Sequence, residues 1–166
     1  MQSPKQDGRV EMIVGRRGVG ERDVLDEAEL DLIEGLIGDS WRRRGSSNTA
    51  DGSADPNAQV AVMNARAIAL VAGSRARWSL AGDQLFVDLD LNTDNVPPGT
   101  RLAIGGAVIE VTDQPHTGCG SFMRRFGRDA TKFVNSPQGR KLQLRGINTR
   151  VIQAGQIRVG DLARKL

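Results

Sequence analysis

Cysteine and histidine each occur once in the 166 residues, as Cys119 and His116, and tyrosine does not occur at all. One cysteine excludes an internal disulfide framework and a zinc site built from several thiolates. One histidine excludes a multi-histidine metal cage. With aromatics at 4% of the chain, the aromatic–basic signature of an RNA-binding sheet is missing. No run approaches the roughly 20 apolar residues that a bilayer-spanning helix needs. The opening Met1-Gln2-Ser3-Pro4-Lys5-Gln6-Asp7 has neither the basic start nor the apolar run of a secretory signal. A Gly-x-x-x-x-Gly-Lys-Ser/Thr phosphate loop is also lacking. The absences leave the expectation of a cytoplasmic, metal-poor protein with one reactive thiol, no membrane partner, and nucleic acid disfavoured.

What is present suits a globular chain: 39% hydrophobic and 26% charged residues, at a length that fits one domain over residues 1–166. Twenty glycines imply many tight turns and short elements, hence a strand-rich fold. Charge is uneven. Residues 1–35 hold five basic and nine acidic side chains, whereas residues 114–166 hold eleven basic and two acidic. Of the 23 basic residues 19 are arginine, whose planar fork matches phosphate or carboxylate. The plain reading of the basic C-terminal third is a solvated face. The alternative is a surface for a small anionic ligand, such as a phosphorylated cofactor.

Along the chain, Val10–Val14 reads as an opening strand closed by a turn at Gly15-Arg16-Arg17-Gly18. Leu30, Ile33, Leu36 and Ile37 stand at helical spacing, which predicts an amphipathic helix over 26–37 closed by Gly38. Trp41 is expected to pack on the body of the fold, and 44–57 to form a flexible, exposed loop. A strand over 59–64 leads into a short helix over 65–72 ending at Gly73. A strand begins at Gln84-Leu85-Phe86-Val87, and a hairpin joins 101–104 to 107–112 through Gly105-Gly106. One helix is predicted over 121–134 despite Gly127, then strands over 142–145, 148–152 and 156–159. The class is mainly β, barrel-like, with two or three short peripheral helices. Asp88, Asp90 and Asp94, with Glu110 or Asp113, could offer oxygen ligands to a divalent cation, but the plainer reading is the solvent face of a strand.

The sole thiol and sole imidazole lie three residues apart in Pro115-His116-Thr117-Gly118-Cys119. Cys119 directly precedes a helix, with Arg124 and Arg125 close behind, and both features favour thiolate. His116 is placed to accept its proton or pair with it. Against this stand the inert buried cysteine and the histidine that merely bonds within its loop. Backbone N–H groups around Gly118 and Gly120 could cradle an anion.

Several segments carry a resemblance: Asp83–Leu91, Asn95–Leu102, Ile104-Gly105, Ile109–Thr112, and then Pro-His-Thr-Gly-Cys. It continues through Phe122, Arg125-Phe126-Gly127, Phe133–Ser136, Arg145-Gly146-Ile147 and Gly160-Asp161. Over roughly 58–162 the chain resembles a small bacterial MOSC-domain protein, named for the C-terminal domain of molybdenum cofactor sulfurase. The resemblance implies a barrel-like fold and a key cysteine, Cys119. That cysteine would either ligate molybdenum in a pterin cofactor or carry sulfur as a persulfide. Relatives that reduce amide oximes or N-hydroxylated bases use it as the metal ligand, and pyridoxal phosphate binding is a further association. On this reading Cys119 and His116 are the catalytic candidates. Arg124, Arg125, Arg145, Thr117 and Gly118 would contact an anionic cofactor or substrate, and a redox or sulfur-donor protein is the expected partner. In the better-studied branch the loop reads Pro-Arg-x-Pro-Cys, so His116 stands where that branch has an anion-binding arginine. Its acidic-Asn-Leu stretch after a glycine is Gly82-Asp83-Gln84-Leu85 here. The alternative function is a non-catalytic sulfur-trafficking or protein-binding module that uses the basic C-terminal face.

Overall fold

The computed structural model describes residues 2–166. In chain order its elements are β1 (Asp7–Gly15), β2 (Asp23–Leu25), β3 (Glu27–Asp31), β4 (Gly35–Leu36), α1 (Trp41–Arg44), a 3-10 turn (Pro56–Ala58), β5 (Val60–Asn64) and α2 (Ala65–Ala72). A second 3-10 segment (Arg75–Ala81) follows, then β6 (Leu85–Asp88), β7 (Arg101–Ile104), β8 (Ala107–Val111), α3 (Gly120–Phe126), α4 (Arg128–Asn135) and α5 (Pro137–Lys141). The chain ends with β9 (Ile147–Gln153), β10 (Gly155–Arg158) and β11 (Leu162–Lys165).

Seven strands close into a barrel in the order β1-β6-β5-β9-β8-β7-β11, with β11 returning to β1. Closure leaves no edge strand in this ring. The barrel pairings are antiparallel except β5–β6. A parallel neighbour demands a crossover, and α2 with the second 3-10 segment supplies it. The crossover lies over the outside of the barrel, where Met12, Val14, Met63 and Phe86 meet Ile68 and Trp78 in a second apolar cluster. Val10, Ile13, Val62, Leu85, Val87 and Ile109 fill the barrel itself. β1, β5 and β6 are therefore apolar on both faces, and strands of that kind read as continuous hydrophobic runs. In β1 the pairing with β6 shifts between Val10 and Met12. That extra residue is why Val10 and Ile13, three apart, both reach the barrel interior.

The expected mainly β barrel is what forms. The strands at β1 and β5, helix α2 and the β7–β8 hairpin also lie where the sequence places them. Trp41 is buried. Residues 45–55 hold neither helix nor strand, and Asp55 is buried at their end, where it accepts from the Asn57 N–H at 2.9 Å. Four expectations need correction. The helix over 26–37 is the β3–β4 hairpin, with β3 paired to β10. Its sequence Glu-Ala-Glu-Leu-Asp alternates with period two, burying Ala28 and Leu30, while Ile33 and Ile37 face solvent. The helix over 121–134 is two helices, because Gly127 adopts φ +91° between them. The strand over 142–145 is the exit from α5, closed by hydrogen bonds from Leu142 N to Gln138 O and from Gly146 N to Gln143 O. Finally, among the described residues five short α-helices decorate the barrel where two or three are expected. Among the described residues, no helix is long and apolar enough to cross a membrane.

Candidate functional site

The loop from β8 to α3 carries both sequence candidates, and two asparagines hold it in place. Asn148 of β9 donates to the carbonyls of Gln114 at 3.1 Å and Pro115 at 3.3 Å. Asn135, at the end of α4, accepts from Gly118 N–H at 2.8 Å and donates to its carbonyl at 2.9 Å. Just past the second anchor Cys119 is extended and stands exposed to solvent directly before α3. Partial burial disfavours the thiolate, but the N–H groups of Phe122 and Ser121 and the charge of Arg145 outweigh it, so the thiol titrates below its ordinary range. An exposed, acidified thiol is the form that binds soft metals or attacks sulfur.

His116 does not bond to Cys119. Its Nε2 lies 2.8 Å from Oδ1 of Asp83, a residue with no solvent exposure. Oδ2 of the same carboxylate accepts from Arg145 at 2.5 Å. Burial disfavours the charged carboxylate, yet Arg145 and His116 overcome that penalty and hold Asp83 ionised, below the usual carboxylate range. For His116 burial dominates, assisted by the charge of Arg145, and it titrates below the ordinary imidazole range despite Asp83. Arg145 is itself buried, with its guanidinium 4.9 Å from the ring centroid of Phe122. His116 and Arg145 also line a cavity of about 150 Å³ together with Thr117, Val134, Arg140 and Gln143. A larger hollow of about 540 Å³, bordered by Lys5, Asn64, Arg66, Asp90 and Leu142, holds none of the residues expected around Cys119.

The turn entering β6 gathers the cations. Arg22 donates to the carbonyl of Ser79 at 3.1 Å, Arg125 to Leu80 at 2.9 Å, Arg145 to Ala81 at 2.9 Å and Arg16 to Gly82 at 3.0 Å. Four consecutive carbonyls thus each take a different arginine. Arg16 is neutralised by a bidentate pair with Asp39, whose side chain is fully buried. Among the described residues Arg22 has no such counter-ion. Burial and the charges of Arg125, Arg16 and Arg44 lower its affinity for the proton. Arg44 is affected in the same way, by burial and by Arg16. Clustered cations of this kind repel one another unless an anion joins them.

The structure therefore redistributes the predicted contacts. Arg145 is committed to Asp83, Arg124 reaches Ser121 Oγ at 2.9 Å on the exposed side of α3, and Arg125 joins Arg22 and Arg44. Thr117 and Gly118 belong to the loop itself. Asp83, Arg22, Arg44 and Arg16 are additions that sequence spacing does not reveal. For Asp83 a signal exists: it is a lone acid entering the apolar run Leu85-Phe86-Val87. Among the described residues no three of His, Cys, Asp and Glu gather as a metal site. Of the candidate acids, Asp88 pairs with Arg66 and Glu110 with Arg101 and Arg150, while Asp90 accepts from the backbone and side-chain N–H groups of Asn92.

With barrel, loop and thiol in place, the family can be decided. The family model of the MOSC domain matches residues 51–164. The chain belongs to the MOSC domain family. MOSC domains are generally associated with functions related to the molybdenum cofactor. Similar folds occur in the YuaD protein from Bacillus subtilis, at TM-score 0.62 and 16% identity over 94% of this chain and 93% of that one. YiiM from Escherichia coli aligns at TM-score 0.61 and 19% identity, covering 95% and 69% of the two chains. YiiM from Geobacillus stearothermophilus aligns at TM-score 0.62 and 14% identity, covering 96% and 75%. At these identities the likeness to other MOSC-type structures is one of fold. None of the curated proteins matches the chain.

Proposed function

We propose that this MOSC domain binds a molybdenum–pterin cofactor through Cys119 and uses it, with two electrons and two protons supplied through a redox partner protein, to reduce small N-hydroxylated compounds with release of water. The observation that carries the reading is the pairing of an exposed, acidified thiol with an arginine cluster lacking enough counter-charge. The donor chemistry fits the group. A thiolate is the soft ligand such a metal takes, and guanidinium forks suit a pterin phosphate. Arg125 stands six residues beyond Cys119 along α3, a rise of roughly 9 Å, so one ligand of pterin size could reach both. Arg22, Arg44 and Arg125 would hold the phosphate. Arg145, tied to Asp83, stabilises the floor of the site and adds positive potential at the thiol. The bound cofactor would supply two-electron redox chemistry at the metal.

A second reading has its own support. Cys119 is open to solvent at the tip of its loop, as a persulfide carrier passing sulfur to a partner protein requires. Metal analysis of protein purified from its native host separates the two. About one molybdenum per chain, lost in Cys119→Ser, supports cofactor binding. Reductant-labile sulfur without metal supports the carrier, and finding neither overturns both.

A further inference from the structure

We propose that Asp83 is a positioning residue: by accepting a hydrogen bond from Nε2–H of His116 it fixes the imidazole in the tautomer whose Nδ1 is free to take up and return a proton. The proposal rests on the reading that the Cys119 region is a reaction site, and adds to it a residue that the loop motif does not contain.

The argument starts from the carboxylate. Asp83 is fully buried, and Arg145 donates to its Oδ2 at 2.5 Å. An arginine can only donate, so that oxygen is an acceptor, and the guanidinium charge against it keeps the buried carboxylate ionised. The remaining oxygen, Oδ1, faces Nε2 of His116 at 2.8 Å and can only accept, so Nε2 carries the hydrogen. The same edge of the ring is also fixed by packing. His116 Cδ2 lies 3.1 Å from where a Cβ on Gly146 would stand, so the Cδ2–Nε2 edge is turned into the protein. Among the described residues nothing hydrogen-bonds to Nδ1, and the side chain keeps 18% of its exposure. A neutral imidazole held in this way offers one lone pair outward. On accepting a proton at Nδ1 it becomes an imidazolium that retains Nε2–H on Asp83, and on giving the proton up it returns to the same tautomer. The groups that set its environment are Asp83, Arg145 and Arg16.

Asp83→Asn makes the decisive variant, because it keeps size and changes donor pattern. Arg145 still requires an oxygen, so the amide oxygen turns to Arg145 and the amide NH2 faces Nε2. The tautomer should invert, with the proton moving to Nδ1. His116 is the only histidine, so every imidazole nitrogen signal in a 15N-labelled sample belongs to it. Long-range 1H–15N spectra of the full chain should show a protonated Nε2 in the natural protein and a protonated Nδ1 in Asp83→Asn. A protonated Nδ1 in the natural protein overturns the proposal, and so does an unchanged tautomer in the variant. The kinetic counterpart uses cofactor-loaded protein and an N-hydroxylated base. Asp83→Asn should lower kcat by ~100-fold or more with little change in KM, the loss expected when a positioned acid–base group is disabled. It should cost nothing further in a His116→Gln background. An equal loss in both backgrounds means that Asp83 does not act through His116. If Cys119→Ser leaves turnover intact, the reading of the site fails while the tautomer result still decides the role of Asp83.

Discussion

Asn135 grips Gly118 by both backbone groups, with its Oδ1 on the N–H at 2.8 Å and its Nδ2 on the carbonyl at 2.9 Å. One side chain at the end of α4 thus fixes the residue next to the thiol. Asn135→Ala leaves two partly buried peptide groups unpaired and should destabilise the fold by about 1–3 kcal/mol, read as a fall in urea midpoint without a change in slope. The alkylation rate of Cys119 should change in the same variant while the fold persists. A variant unchanged in both shows that the clasp does not set the loop.

The thiol itself makes a second test. With the N–H groups of Phe122 and Ser121 and the charge of Arg145 outweighing partial burial, Cys119 should react with iodoacetamide with a pH midpoint below that of an unstructured cysteine peptide, near 8.5. Full protection in the folded protein would contradict both its exposure and its proposed role.

Acidification should weaken the fold in two stages. His116 titrates lower in the fold than in the unfolded chain, so below about pH 6.5 the unfolded state binds the extra proton and stability falls with pH. Asp83 is likewise lowered. Its contribution is complete above the unfolded value near 3.9 and is lost as pH falls through the folded value. Urea midpoints from pH 8 to 3 should therefore decline in both windows, and His116→Gln should remove the upper decline while leaving the lower one.

The arginine cluster predicts an unusual response. Arg22→Gln relieves repulsion with Arg125 and Arg44, so stability without ligand should hold or rise slightly. Stabilisation by added phosphate, seen as a rise in Tm, should shrink in the same variant. If phosphate raises Tm equally in both proteins, Arg22 holds no anion.

Gly127 separates α3 from α4 at φ +91°, and a Cβ at this position would meet nothing within 4 Å. Gly127→Ala should therefore cost about 1–3 kcal/mol from backbone strain alone. A stabilised variant would mean that a continuous helix is accessible.

The outline was legible in local pattern. Residues 59–64 read as a strand leading into a helix, and the structure adds that Asn64 caps α2 by accepting from the N–H groups of Arg66 and Ala67. Gly105-Gly106 marks the hairpin. Pattern failed where two periods compete. In 26–37 the spacing of Leu30, Ile33, Leu36 and Ile37 mimics a helix, and only the pairing of β3 with β10 selects the alternation that buries Ala28 and Leu30. β11 escaped notice because one residue, Ala163, is its whole buried contribution.

By itself, then, the sequence determined the strand-rich class and singled out the candidate loop, since one thiol and one imidazole in a single loop need no fold to be noticed. Only tertiary structure decided the partners. Closing the barrel through β11 and crossing over between β5 and β6 brings Asp83, from one end of the crossover, against His116 from the loop after β8 and Arg145 from the exit of α5. Arg22 and Arg125 meet at successive carbonyls for the same reason. Hydrogen bonds and charge act through space, and residues 33, 62 or 103 positions apart become neighbours only once the chain has closed.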